Sequence, residues 1–215
     1  MGVELKGRLS DWHSLASLYV TEKEHDKANR FVHEIDGIRH LMGRAIVRHI
    51  LMKEAPHELC DFSISPYGKP TAPWSNIHFS ISHSGSMVVA AFCKKSPVGI
   101  DIEKQTSLPE LAGLAAMFHP SERDAIRACT ARKQLDAFYR CWVRKEAVLK
   151  AYGEGLSRPL QSFCVHTRHP KEQWIQCITA NKRDNIYTYD IQTGNNYHCS
   201  IATRSDSHTV TSLLL

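Results

Sequence analysis

The chain has 215 residues, 42% of them hydrophobic and 23% charged, enough for one substantial core or two small ones without disulfide staples. Its formal net charge of +5 suits an acidic partner or a phosphorylated ligand, yet no basic run is interleaved with aromatics as in single-strand binders, so nucleic acid is not expected. The longest apolar run, "MVVAAFC", is too short for a bilayer, "MGVELKGRLSDW" lacks a signal region, and seven cysteines without a Cys-x-x-Cys pair point to a reducing cytoplasm, with no membrane partner.

Residues 9–54 read as two or three helices, clearest in "RHLMGRAIVRHILMKE". Arg44 and Arg48 are i,i+4 neighbours there and read as a solvated stripe, although part of the set Lys27, Arg30, Arg39, Arg44 and Arg48 can reach a phosphate. Short strands follow at 61–65, 77–82, 86–93 and 97–103, with "YGKP" at 67–70 as a turn. A second helical block covers about 108–152. After "GEGLSRP", the segments "SFCVHT", "WIQCIT", "IYTYDIQ", "YHCSIAT" and "HTVTSLL" read as strands. Helices then strands, twice over, predict an α+β fold of two similar halves, 1–103 and 104–215.

Three segments carry chemistry. In "CWVRKEAVLKAYGEGL", steps of about 100° place Leu135, Phe138, Trp142 and Leu149 on one helix face. Glu146 lies on that face, and Lys150 sits beside it. A surface ion pair belongs opposite the apolar stripe, so an inward carboxylate needs a partner, a metal or a proton. In "VGIDIE", alternation turns Gly99, Asp101 and Glu103 to one face. That spacing suits a half-solvated strand or a hard-cation site; for the latter, Glu146 is the third carboxylate of a Mg²⁺ shell completed by phosphate oxygens and water. In "FSISHSGS", Ser82 and His83 end a strand, either as structural groups or as phosphate ligands. A Ser/His nucleophile pair is disfavoured, because no Gly-x-Ser-x-Gly elbow is present and neighbours on a strand point to opposite faces. Lys69 in "YGKP" is a cation on a rigid turn, solvated or ligand-facing. Neither a P-loop nor a Gly-x-Gly-x-x-Gly fingerprint occurs.

In this order, "YGKP", "FSISHS", "VGIDIE", "FHPSE" and "WVRKEAVLKAYGEGL" resemble the 4′-phosphopantetheinyl transferase superfamily, its Sfp-type branch in particular, over about residues 67–165. The resemblance implies two pseudo-twofold halves with the active site at their seam. It implies transfer of the phosphopantetheine arm of coenzyme A to a serine of an apo carrier protein, with release of adenosine 3′,5′-bisphosphate. By the same likeness Asp101, Glu103 and Glu146 hold Mg²⁺, and Lys150 contacts the pyrophosphate. Lys69, Ser82 and His83 meet the nucleotide end, with His83 at the 3′-phosphate, and Lys27 and His40 contact coenzyme A. His40 replaces a small hydroxyl residue, and Glu24 stands where a basic residue is found in the family. Glu146 would be ligand and base, and Glu122 of "HPSE" a catalytic assistant. A monomer is expected, since two halves build the site within one chain. A Mg²⁺-dependent phosphohydrolase using the same carboxylates is the alternative; it leaves Lys69, Ser82 and His83 without a purpose.

Overall fold

The computed structural model describes residues 1–54, 60–166, 174–179, 185–193, 196–204 and 209–211. In chain order it forms β1 (Gly2–Glu4), α1 (Leu9–Ser17), α2 (Glu22–Ala28), α3 (Glu34–Glu54), β2 (Ser63–Ile64), β3 (Pro70–Thr71), β4 (His78–Ser84), β5 (Met87–Cys93) and β6 (Val98–Lys104). There follow α4 (Leu111–Ala115), α5 (Pro120–Arg127), α6 (Ala131–Tyr152), β7 (Phe163–Cys164), β8 (Ile175–Gln176), β9 (Ile178–Thr179), β10 (Tyr187–Ile191) and β11 (Tyr197–Thr203). The fold is α+β in two halves, each laying a long helix on an antiparallel sheet. In the first, α3 packs on a sheet of order β1-β5-β4; in the second, α6 packs on one of order β6-β11-β10-β8. Among the described residues no helix is long and apolar enough to cross a membrane.

Several elements differ from the sequence reading, each for a tertiary reason. β1 is too short to show alternation; it exists because it pairs with β5, Gly2 opposite Val89. Of 61–65 only Ser63–Ile64 is strand, held by β3. "WIQCIT" divides at buried Cys177, whose N–H turns to the carbonyl of Ile186 at 2.8 Å. Its two parts join different sheets, β8 with β10 and β9 with β7. "SFCVHT" is strand only at Phe163–Cys164, and its Thr167 lies outside the described residues. Of "HTVTSLL", 209–211 are irregular and the remainder lies outside the described residues.

Strand β6 makes the seam. It precedes the proposed division at 103 for most of its length, yet it pairs along all of it with β11, from Val98–Thr203 to Lys104–Tyr197. Its other edge faces β4, and no backbone ladder joins those two strands. Instead the N–H groups of Ile100, Ile102 and Lys104 donate to the hydroxyls of Ser80, Ser82 and Ser84 at 3.2, 3.4 and 3.0 Å. The buried N–H groups of Ile100 and Ile102 require partners, and a serine at every second position of "FSISHS" serves them and the exposed N–H of Lys104. On the far face Met87 and Val89 of β5 cluster with Ile100, Ile102, Cys199 and Ile201, closing the seam with apolar surface.

The expected solvated stripe is instead buried: Arg44 is 8% exposed and Arg48 fully enclosed. Glu24 explains it. This residue closes the capping box of α2 with Thr21 and accepts hydrogen bonds from both terminal nitrogens of Arg48, at 2.8 and 3.2 Å. The ring of Phe62 lies against both guanidinium groups. The partner carboxylate is on another helix, where i,i+4 spacing cannot reveal it.

α6 lies so close to β6 that a Cβ on Gly99 would stand 1.9 Å from the carbonyl oxygen of Ala147 and 2.5 Å from the amide nitrogen of Ala151. Both contacts are backbone and cannot rotate away. We therefore expect Gly99→Ala to destabilise by about 3 kcal/mol or more, the upper range of overpacking. An unshifted denaturant midpoint would show that α6 does not rest on this glycine.

Candidate active site

Five elements line a cavity of about 470 Å³ at the seam, with Pro70 of β3 at its edge. α3 contributes Arg39, His40 and Arg44, and β4 contributes Ser82 and His83. β6 contributes Asp101 and Glu103, and α6 contributes Trp142, Glu146 and Lys150, one turn apart on a single line. The structure thus brings together His40, Ser82, His83, Asp101, Glu103, Glu146 and Lys150 from the sequence-predicted set. Lys69 borders an adjoining cavity of about 260 Å³ that shares Glu146 and Lys150.

At the centre three groups close a triangle. The Lys150 Nζ donates to Asp101 Oδ1 at 2.7 Å and to Ser82 Oγ at 2.9 Å, and Ser82 Oγ donates to the same Oδ1 at 2.8 Å. Asp101 is buried, and its Oδ2 has no hydrogen-bond partner. Ser84 Oγ donates to Glu103 Oε2 at 2.7 Å. Glu146 makes no hydrogen bond or ion pair with any described residue; Lys150, its i,i+4 neighbour, has gone to Asp101. Burial raises the Glu146 carboxyl above its ordinary value, with Asp101 and Glu103 adding repulsion that Lys150 only partly relieves. Burial likewise raises Glu103.

The α3 wall is cationic. Burial, with the charges of Arg44 and Lys27, pushes His40 down to about 4, so its ring is neutral near pH 7. His83 is lowered by burial and by Arg39 and Lys150. Arg39 is tied to Asp36 at 2.6 Å and to the carbonyl of Gly85.

Three sequence-predicted residues stand elsewhere. Glu122 is outside the cavity lining and is 1% exposed. Its Oε2 accepts from Lys145 Nζ at 2.7 Å and from the His119 N–H at 3.0 Å, and its Oε1 accepts from the Val165 N–H at 2.6 Å. A carboxylate so engaged is a buried fastener between α5, α6 and the chain after β7. Lys69 donates to the carbonyls of Val98 and Lys150 at 3.0 and 2.6 Å, tying the "YGKP" turn to β6 and the C-terminal end of α6. Burial and Lys150 lower it to about 8. Lys27 is exposed on α2, near enough to His40 to act on its charge. Sequence reasoning counted Arg44 only within a basic set of which part can reach a phosphate, and it missed Ser84 as the support of Glu103. The alternate serines were the available signal for Ser84.

The donor set suits a hard divalent cation: three carboxylates, one with a buried unpartnered oxygen. Among the described residues, however, no three His, Cys, Asp or Glu side chains already converge on one point. The ammonium of Lys150 sits on Asp101, and the Ser84 hydroxyl on Glu103.

Two family models match the chain. A model described as 4′-phosphopantetheinyl transferase superfamily matches residues 97–202, and one described as 4′-phosphopantetheinyl transferase, N-terminal, matches residues 6–95. The chain is 34% identical over 179 residues to 4′-phosphopantetheinyl transferase Sfp of Bacillus subtilis (strain 168), covering 82% of this chain and 79% of that protein. The chain belongs to the 4′-phosphopantetheinyl transferase superfamily. Similar phosphopantetheinyl transferases include gsp of Aneurinibacillus migulanus, 31% identical over 84% of this chain and 75% of its own. The L-aminoadipate-semialdehyde dehydrogenase-phosphopantetheinyl transferase of Homo sapiens is 32% identical over 68% of this chain and 52% of its own. The two family models meet at 95–97, where β5 gives way to β6.

Glu146 supplies a pH test of the site. Its folded-state affinity for a proton is raised, so its contribution to stability is fully present below the ordinary glutamate range and is lost as pH rises through its folded value. Near neutrality the charged form is a liability. Glu146→Gln should therefore raise the melting temperature at pH 7 in chelator, and the gain should shrink as pH falls toward the ordinary glutamate value. A variant less stable at pH 7 would mean that Glu146 has a favourable partner.

Proposed function

We propose that this phosphopantetheinyl transferase moves the 4′-phosphopantetheine arm of coenzyme A to a serine of an apo acyl or peptidyl carrier protein, with Mg²⁺. The observation that carries the reading is the pairing in one cavity of an acidic wall holding Lys150 with a cationic wall on α3. A ligand bearing both a pyrophosphate and a separate phosphate needs both walls.

Asp101, Glu103 and Glu146 are the residues that would hold Mg²⁺, and the ion would offset charge on the pyrophosphate. Lys150 would share that task, since its ammonium is already inside the cavity and has a donor to spare beyond Asp101 and Ser82. His83 and His40, with Lys27 nearby, would receive the nucleotide end, and Lys69 would hold the adjoining turn in place. The serine Oγ of the carrier attacks the phosphorus bearing pantetheine. Its bond to the second phosphate breaks, and adenosine 3′,5′-bisphosphate leaves with the electron pair. A serine hydroxyl is a weak nucleophile, so its proton must be taken. Glu146 is the base we assign, because burial and its neighbours raise its proton affinity and no described residue hydrogen-bonds or ion-pairs with it. Glu122 is assigned a structural role. The basic chain suits acidic carriers.

The decisive assay incubates the protein with coenzyme A, Mg²⁺ and a panel of apo carriers, then weighs the carriers intact. A phosphopantetheine mass gain is expected; free phosphate without such a gain would instead favour hydrolysis by the same carboxylates. Glu146→Gln should lower turnover by about 10²–10⁴ from lost proton transfer, and raised Mg²⁺ should restore only part of it. Unchanged turnover at every Mg²⁺ concentration would remove Glu146 from the mechanism.

We also propose a monomer, because all the cavity residues named above come from one chain. Light scattering with and without coenzyme A should give the mass of one chain; an obligate oligomer would overturn this.

A further inference from the structure

Glu24 is one carboxylate facing two guanidinium groups. Arg48 takes both of its oxygens at 2.8 and 3.2 Å, and the N–H of Thr21 also donates to Oε2 at 2.9 Å. Arg44 is left with a distant contact, Nε to Oε1 at 3.9 Å. The arrangement therefore contains one cation more than it neutralises. Arg44 is 8% exposed, it borders the cavity, and its Nη1 is buried with no hydrogen-bond partner. One turn earlier on α3, His40 borders the same cavity, and its Nε2 is also buried without a partner. Two unsatisfied nitrogens on one helix face, beside a buried charge that shares its one carboxylate with Arg48, are costly unless a ligand meets them.

We propose that Arg44 is a specificity-determining residue for the monoester phosphate of the nucleotide, with His40 beside it as a second hydrogen-bonding group. The inference rests on the coenzyme A reading above. There the pyrophosphate engages the acidic wall through Lys150 and the metal carboxylates, so the remaining phosphate needs a cation elsewhere in the cavity. The α3 wall supplies it. A phosphate monoester is the most highly charged group of such a ligand, and a guanidinium offers it a planar fork of donors that lysine lacks. His40 cannot supply the charge, because burial, with Arg44 and Lys27 nearby, keeps its ring neutral. Position 40 therefore contributes a hydrogen bond, and Arg44 the positive charge. Glu24 does not spoil the site, because Arg48 already claims it.

The test is calorimetric and needs no turnover. Adenosine 3′,5′-bisphosphate and adenosine 5′-monophosphate are titrated into the wild type, Arg44→Met, Arg44→Lys and His83→Ala. The wild type should prefer the bisphosphate. Arg44→Met, which keeps volume against Phe62, should lose about 10- to 100-fold of bisphosphate affinity, in the range of a hydrogen bond to a charged group, with less than about threefold change for the monophosphate. Arg44→Lys should fall between, because charge remains without the fork. If Arg44→Met does not fold, the lysine variant decides. The proposal is overturned by equal losses for both ligands, by an unchanged preference in the arginine variants, or by a wild type without preference. It is also overturned if His83→Ala alone abolishes the preference. Failure of the transfer reading is seen separately, as wild-type protein that leaves apo carriers unmodified in the mass assay.

Discussion

One edge of β6 has no strand to pair with, and the site follows from how that edge is satisfied. Buried N–H groups left open would each cost a few kcal/mol at most and together could unfold a domain of marginal stability. Ser80 and Ser82 of β4 accept those of Ile100 and Ile102, and Ser84 accepts the exposed N–H of Lys104, so the two sheets join through side chains. A hydroxyl that accepts from the backbone still has a proton to donate. Ser82 gives its own to Asp101 and Ser84 gives its own to Glu103. The same seam that joins the halves therefore orients the carboxylates.

Helix α6 is the second half of that arrangement. Gly99 lets it settle against β6 at backbone distance, which brings Glu146 and Lys150 over Asp101. The adjacent charged residues of the helix serve other ends. Arg144 grips Asp190 with Nε at 2.8 Å, and Lys145 binds Glu122 and the carbonyls of Leu160 and Phe163. Each is buried with a full set of partners. Glu146 is the member of that run with no hydrogen bond or ion pair to any described residue, although Asp101 and Glu103 repel it. Sites of this kind trade stability for function, which is why Glu146→Gln is expected to strengthen the fold and weaken the reaction.

The cavity is also divided electrically. Carboxylates and Lys150 occupy the β6 and α6 side, while guanidinium and imidazole groups occupy α3. On the α3 side the family resemblance is weakest: His40 stands for a small hydroxyl residue and Glu24 for a basic one. The structure gives Glu24 close hydrogen bonds to Arg48 and leaves Arg44 a distant contact with the same carboxylate, so the local pattern differs while a positive wall is retained.

What the sequence determined by itself is local and periodic. Period-2 alternation in "VGIDIE" put Asp101 and Glu103 on one face, and the helical repeat put Glu146 inward with Trp142. The order of elements predicted two α+β halves. These follow from backbone geometry, which each segment carries alone. Tertiary structure decided everything that depends on a distant partner. Lys150 pairs with Asp101 across the seam rather than with Glu146 one turn away; Arg44 and Arg48 are buried because Glu24 comes to them from another helix; Glu122 is a fastener because Lys145 and Val165 claim its oxygens; and β6 leaves its neighbours in sequence to pair with β11. Charge pairing and burial are set by which surfaces meet, and a side chain's nearest neighbour in sequence is often not its nearest neighbour in space.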